Sequence, residues 1–426
     1  MSTNESLFER GCRVIPGGVN SPVRAFRSVG GTPYFVARGD GAHIWDVEGT
    51  QFIDYVQSYG ASILGHADPV VIDAVRSAAL LGTTYGAPTE GEVLLAEELT
   101  SRYPGLEQVR LVSSGTEATM SAIRLARGAT GRSKIVKFAG NYHGHSDALL
   151  ASAGSAVAHI ATADSAGVTA GAVADTVVVP YNVVPVLDDT VAVVIVEPVA
   201  ANMGLIAPVD GFLGGLRAEC DRVGALLLYD EVITGSRLAV GGATERFGVV
   251  PDLWCFGKVI GGGLPIGAFG ASVEIMSNVA PLGEVYQAGT LSGNPLATAA
   301  GLAVLGQLDD AAYASLEQKA TTLADGLQGA FDAAGIPALV PRVGPLVGLF
   351  FGSSSPDEAP TDFDSARGSV ALGRYPEFFR GMLHRGIALA PGPYEVLFCS
   401  LAHGPDELAR TIAAATEVAA AMEGST

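Results

Sequence analysis

Lys258 and Asp230 each stand just past a short apolar run. The run Leu253–Phe256 leads into Gly257-Lys258, and the run 226–229 leads into Asp230-Glu231. A third run, Val191–Val196, ends at Glu197-Pro198. Ligands of open parallel sheets collect beyond the carboxyl ends of the strands. A lysine and an acid delivered by successive runs are therefore predicted to face one cavity. The plainer reading is a chance pair of solvated charges at loop starts. Three such ends in a row, followed by Gly261-Gly262-Gly263, count against it. An amine and a carboxylate in one cavity suit pyridoxal phosphate. The amine forms a Schiff base with the aldehyde, and the acid keeps the pyridine nitrogen protonated so that the ring accepts electrons. Lys258 fits the first role and Asp230 the second.

Such a cofactor needs a cradle for its phosphate. Ser114, Gly115 and Thr116 open a predicted helix on which Ala118, Ala122 and Leu125 share a face. A helix N-terminus offers free N–H groups and a positive dipole end to an anion. The same residues also make an ordinary capped helix start, and they gain meaning beside Asp230 and Lys258. Tyr142 follows the run Lys134–Phe138 and supplies a ring that can stack on a planar cofactor. His143 and His145 offer a rival reading as a metal pair. H-x-H without a third ligand nearby matches no zinc spacing, so no metal is expected. His43, His66, His159, His384 and His403 are scattered and read as structural.

The elements that must carry these groups alternate between short apolar runs and helical patterns. That alternation predicts an α/β fold with a mainly parallel sheet. Asp68-Pro69 predicts a helix start, with Val71, Val75 and Ala78 on one face. Leu316, Ala320, Leu323, Leu327 and Phe331 recur at helical spacing and stop at Gly335-Ile336-Pro337. The glycine-rich character fades beyond residue 310. Three parts are expected: an N-terminal segment 1–60 belonging to a smaller α+β domain, a large domain 61–310, and the rest of the small domain at 311–426. The stretch 151–171 is rich in Ala, Ser and Gly and reads as a loop, either inert or a lid over a site.

Composition excludes several classes. The 426 residues carry a formal charge of -19, which repels nucleic acid and anionic lipid alike. No apolar run is long enough to span a bilayer, and the polar start MSTNESLFERG is no secretory signal. Cys12, Cys220, Cys255 and Cys399 are far apart and form no CxxC pair, so reduced thiols are expected. Together these predict a cytoplasmic protein with a small-molecule substrate.

The motifs SGTEA (114–118), YHG (142–144), DEVITG (230–235) and GKVIGGG (257–263) together resemble the class III pyridoxal-phosphate aminotransferases. The segments PGGVNSPVRAF (16–26) and YQAGTLSGNP (286–295) resemble the aminomutases of that family, and the likeness runs from about residue 7 to about residue 420. It implies a fold type I transferase acting as a homodimer with shared active sites. It makes Lys258 the Schiff-base lysine, Asp230 the pyridine-nitrogen partner, Val232 the apolar contact under the ring and Tyr142 the stacking aromatic. Ser114, Gly115 and Thr116 become the phosphate cradle, with Thr290 a phosphate contact given to the other subunit. Asn202 falls near the cofactor's 3-hydroxyl and Glu395 is an acid near the cofactor. Arg24, with Ser21, clamps the substrate carboxylate, as an arginine fork is suited to do. By itself Arg24 reads as a surface residue of a Pro/Gly loop. Ser155 falls in the gating loop.

The chain departs from the family pattern at Tyr59 (usually Trp), Ser113, Asn141, Ala156, Ala201, Ser236, Tyr394 and Val396. These leave the cofactor expectation intact and bear on substrate choice. The resemblance implies an internal amine shift from (S)-4-amino-5-oxopentanoate to 5-aminolevulinate. The enzyme would start in its pyridoxamine phosphate form; whether an upstream reductase docks to pass on its unstable aldehyde is left open by the sequence. Two other readings remain: an aminotransferase that needs a separate amino donor, and a binding protein that kept the fold without catalysis.

Overall fold

A computed structural model describes residues 2–151 and 165–423. The chain divides into two units. One holds residues 69–200 and 207–313; the other, the terminal unit, holds 1–68, 201–206 and 314–426.

The first unit is built on a seven-stranded sheet. From edge to edge its strands are Gln108–Val112, Gly267–Ala271, Leu253–Phe256, Leu226–Asp230, Val191–Val196, Lys134–Phe138 and Thr176–Val179. The last five pair in parallel, and Gly267–Ala271 runs antiparallel to both of its neighbours. All six residues of Val191–Val196 are buried, as expected of a parallel strand covered on both faces. The three runs noted in the sequence are neighbours in space. Val196 pairs with Tyr229, and Asp230 pairs with Cys255. Helix Gly115–Thr130 covers the sheet through Ala118, Ala122, Leu125 and Ala126, which share a core with Ile135, Val193, Leu228 and Cys255. Helix Pro69–Leu81 buries Val71 and half-buries Val75 and Ala78, so the expected face points inward.

The terminal unit combines helices with small sheets. One sheet runs Val36–Asp40, His43–Asp46, Gln51–Asp54 and Ile387–Ala388, the last pairing in parallel with Gln51–Asp54. Helix Asp310–Ala333 presents Leu316, Ala320, Leu323, Leu327 and Phe331, each at most 1% exposed. The four large side chains contribute about 1.5–3 kcal/mol each by leaving water. Gly335 ends the helix in a left-handed conformation. Of the cysteines, Cys12 is exposed and the other three are buried; all four are free. No helix among the described residues is long and apolar enough to cross a membrane.

Candidate active site

Asp230 is the last residue of its strand and is 5% exposed. Two donors fix its carboxylate. His143 Nδ1–H donates to Oδ2 at 2.7 Å, and the Val232 N–H donates to Oδ1 at 3.1 Å. Burial holds the His143 imidazole below its ordinary value, against a partial offset from Asp230. The ring orients the acid through one N–H. His143 Nε2 is buried with no hydrogen-bond partner among the described residues. Sequence reasoning weighed His143 as a metal ligand; instead it is Asp230's partner. No group of three or more candidate metal ligands occurs among the described residues.

Lys258 follows the neighbouring parallel strand by two residues. It is half-buried and sits at φ 48, a left-handed conformation unusual for a residue with a side chain. Val232 links this lysine turn to the helix start. A β-carbon added at Gly115 would lie 3.1 Å from Val232 Cγ2, and one at Gly257 would lie 3.3 Å from Cγ1. Gly144 has φ +82, and a β-carbon there would lie 2.5 Å from Thr116 Oγ1. Glycine is thus required where the YHG turn meets the helix. Ser114 caps the helix by accepting the Glu117 N–H at 3.2 Å. The N–H groups of Gly115 and Thr116 have no partner among the described residues. The fold so brings together Ser114, Gly115, Thr116, His143, Asp230, Val232 and the Lys258 turn.

Tyr142 is half-buried beside this group, and its N–H donates to Glu197 Oε1 at 2.6 Å. Asn141 Oδ1 accepts the Glu197 N–H at 2.9 Å. The third acid-bearing strand end therefore fixes the YHG turn. Buried Lys137 donates to the carbonyls of Leu149 and Ala151, both at 3.0 Å; burial pulls its amine down to about 8, against Glu197. Ser236 is buried against Tyr103, whose hydroxyl lies 3.2 Å from Ser236 Oγ. Thr290 is exposed. Ser155 and Ala156 lie outside the described residues.

The remaining expected residues gather in the terminal unit. Arg24 is exposed on the turn Pro22–Ala25, whose geometry is pinned by buried Phe26 at φ 56. Phe26 packs edge-on against Tyr34 and Phe379. Ser21 accepts the Arg24 N–H through its carbonyl at 3.1 Å. A β-carbon at Gly392 would touch both Val23 and Glu395, at 3.2 Å each, and Ser28 Oγ donates to the Pro391 carbonyl at 2.7 Å. The Gly204 N–H donates to the Tyr394 carbonyl at 2.8 Å, which ties the segment bearing Asn202 to the one bearing Glu395. The phenol of Tyr59 senses both the Glu395 carboxylate and the Arg24 guanidinium, although burial is the larger cause of its raised value.

These groups fit pyridoxal phosphate by their own chemistry. A carboxylate with fixed donors, a lysine on the adjacent strand end and a helix start with spare N–H groups are what that molecule requires.

Comparison with known proteins agrees. The family model for class-III aminotransferases matches residues 26–391. A glutamate-1-semialdehyde 2,1-aminomutase of Nitratidesulfovibrio vulgaris is 50% identical over 97% of this chain and 98% of its own. The Syntrophobacter fumaroxidans enzyme of the same name is 53% identical over 96% and 95%. Among solved structures, an omega-transaminase from Sphaerobacter thermophilus is similar with a TM-score of 0.87, 34% identity, and 98% and 97% coverage. A glutamate-1-semialdehyde aminomutase from Pseudomonas aeruginosa, solved with PMP, is similar with a TM-score of 0.86, 27% identity, and 97% and 93% coverage.

Proposed function

The chain belongs to the class-III aminotransferase family, and on that premise we propose that it is a pyridoxal-phosphate-dependent isomerase converting glutamate-1-semialdehyde, (S)-4-amino-5-oxopentanoate, to 5-aminolevulinate. This places it in tetrapyrrole biosynthesis. The observation that carries the chemistry is that Asp230 and Lys258 leave the same end of adjacent parallel strands, with Val232 joining the lysine turn to the helix start.

When bound, the cofactor supplies an electron-withdrawing ring and an exchangeable amine. Asp230, whose carboxylate accepts the His143 and Val232 N–H groups, would hold the ring nitrogen's proton. Lys258 Nζ anchors the cofactor and moves protons between the reacting carbons. Gly115 and Thr116 N–H groups, with the Ser114 and Thr116 hydroxyls, hold the phosphate. Val232 and Tyr142 would supply the apolar and aromatic contacts to the ring, and Asn202 would serve its 3-hydroxyl. Arg24 and Ser21 hold the substrate carboxylate, which keeps the carbon skeleton still while the amine changes place. Glu395 and Ser155 complete the substrate contacts.

The working form is a cytoplasmic homodimer in which Thr290 serves the partner's phosphate. Its exposed position accords with that role, as do the exposed apolar side chains Val70, Ile72, Leu80, Leu81, Leu282 and Tyr286 of the same unit. The aldehyde substrate is reactive, which favours direct transfer from glutamyl-tRNA reductase.

The test is turnover without a donor. Protein loaded with pyridoxamine phosphate is expected to make 5-aminolevulinate from the semialdehyde alone. A strict requirement for a second amino acid would make the chain an ordinary aminotransferase.

A further inference from the structure

His143 meets Asp230 through one bond, from Nδ1–H to Oδ2 at 2.7 Å, and its Nε2 is buried with no partner among the described residues. The aim of the imidazole therefore depends on the backbone that carries it, the turn of residues 141–144.

That turn is gripped from two sides. On the sheet side, Glu197 and the turn exchange bonds. The Glu197 N–H donates to Asn141 Oδ1 at 2.9 Å, and Glu197 Oε1 accepts the N–H of the next residue, Tyr142, at 2.6 Å. On the helix side, the Thr119 hydroxyl donates to the His143 carbonyl at 2.7 Å, with the Thr116 carbonyl 3.1 Å from the same oxygen. The two gripped peptide units, 141–142 and 143–144, bracket Tyr142 and His143. The directions in which both side chains leave the turn are thereby fixed. Asn141, Glu197, Thr119 and His143 are each at most 3% exposed, so water does not compete for these bonds.

The grip has a cost. Asn141 Nδ2, like His143 Nε2, is buried with no partner among the described residues. Unmet polar groups of this kind destabilise a fold. The turn keeps two polar side chains where apolar ones would cost less, which points to a geometric role. Asn141 is also a departure from the family pattern, so this half of the grip is a property of this chain.

We propose that Asn141, Glu197 and Thr119 are positioning residues for the reaction: they set the approach of His143 to Asp230 and, through that bond, the hold of Asp230 on the cofactor's ring nitrogen. This rests on Asp230 being the ring-nitrogen partner of the proposed function. Each oxygen of the acid has a further lone pair, so an acid aimed by His143 still has one to offer the ring. The proposed substrate clamp, Arg24, takes no part in these bonds. A fault in the grip therefore acts on kcat more than on KM.

Two measurements on the full-length holoenzyme test the proposal. One is exchange of the His143 Nδ1 proton with water, read by NMR of histidine-labelled protein without substrate and assigned by its loss in His143→Ala. The other is steady-state turnover of the semialdehyde. Asn141→Ala, Glu197→Ala and Thr119→Val are each expected to speed exchange about tenfold and to lower kcat about tenfold, with KM within about threefold. Thr119→Ser, which keeps the hydroxyl, should recover most of both effects. Added to His143→Ala, Thr119→Val should lower kcat little further, because its effect runs through the imidazole. Unchanged exchange in Thr119→Val, or a kcat loss repeated in full in the His143→Ala background, would overturn the proposal. Should Glu197→Ala fail to fold, Thr119→Val decides alone. Wild-type protein that makes no 5-aminolevulinate without a donor would instead sink the proposed function, and the exchange rates, read without substrate, would still decide the grip.

Discussion

Asp230 lies in a place that removes most of its water, and among the described residues two N–H groups replace that water. A buried carboxylate deprived of a donor bears the full cost of its desolvation. His143→Ala is therefore expected to lower stability by about 1–3 kcal/mol, read by urea denaturation, and to slow turnover. Asp230→Asn should fold but lose kcat on the order of a hundredfold or more, since an amide does not hold the ring proton. Added to Asp230→Asn, the His143 change should cost less kcat than it does alone, because its effect runs through the acid. Equal losses in both backgrounds would separate the imidazole from the carboxylate.

At the level of elements, the loop after Asp230 has its own buried acid. Glu231 accepts from Thr234 Oγ1 at 2.5 Å, from the Ala243 N–H at 3.0 Å and from the Thr244 N–H at 3.1 Å, so it ties the DEVITG turn to the start of helix Gly242–Phe247. Burial pushes its carboxyl from 4.5 up to about 7, against these donors. The folded state then binds more protons than the unfolded state between those values. Its contribution to stability is fully present below about 4.5 and falls as pH rises to about 7. Glu231→Gln should lower stability at every pH, since its amide N–H groups meet other donors. It should also lose that acid-favouring slope, worth up to about 3 kcal/mol. Unfolding free energies measured across this range read the difference, and an unchanged slope would contradict the assignment.

Much of this scale was legible beforehand. The runs Leu253–Phe256 and Val191–Val196 are strands with those bounds. The run at 226 extends one residue further because polar Asp230 still pairs with Cys255. The Leu316–Phe331 face and the Ser114 cap were also readable, since period and cap chemistry are local. The His143–Asp230 bond was not. The strand Val191–Val196 lies between theirs in the sheet, and strand order is not written in spacing. Gln57-Ser58-Tyr59, at φ 44, 54 and 55, gave no sign of left-handed backbone, because none of the three is a glycine.

At the scale of the whole molecule, a chain with a charge of -19 has to attract a carboxylate. Local positive groups such as Arg24 and the helix start must outweigh that field at short range. Acidity also keeps copies apart unless an apolar face draws them together. Leu80 and Leu81 are 89% and 81% exposed at the end of helix Pro69–Leu81, more than a single copy has reason to show. Leu80→Asp/Leu81→Asp is expected to shift the proposed dimer toward monomer in sedimentation and to reduce activity with it. A dimer of unchanged strength would place the interface elsewhere.

The proposed chemistry needs one lysine amine and one carboxylate serving the same pyridine ring. Borohydride reduction of protein loaded with pyridoxal phosphate, followed by peptide mass mapping, tests this most directly. The predicted result is a single cofactor-bearing peptide containing Lys258, with the label gone in Lys258→Ala. A label on another lysine, or none in the loaded wild-type protein, would contradict it.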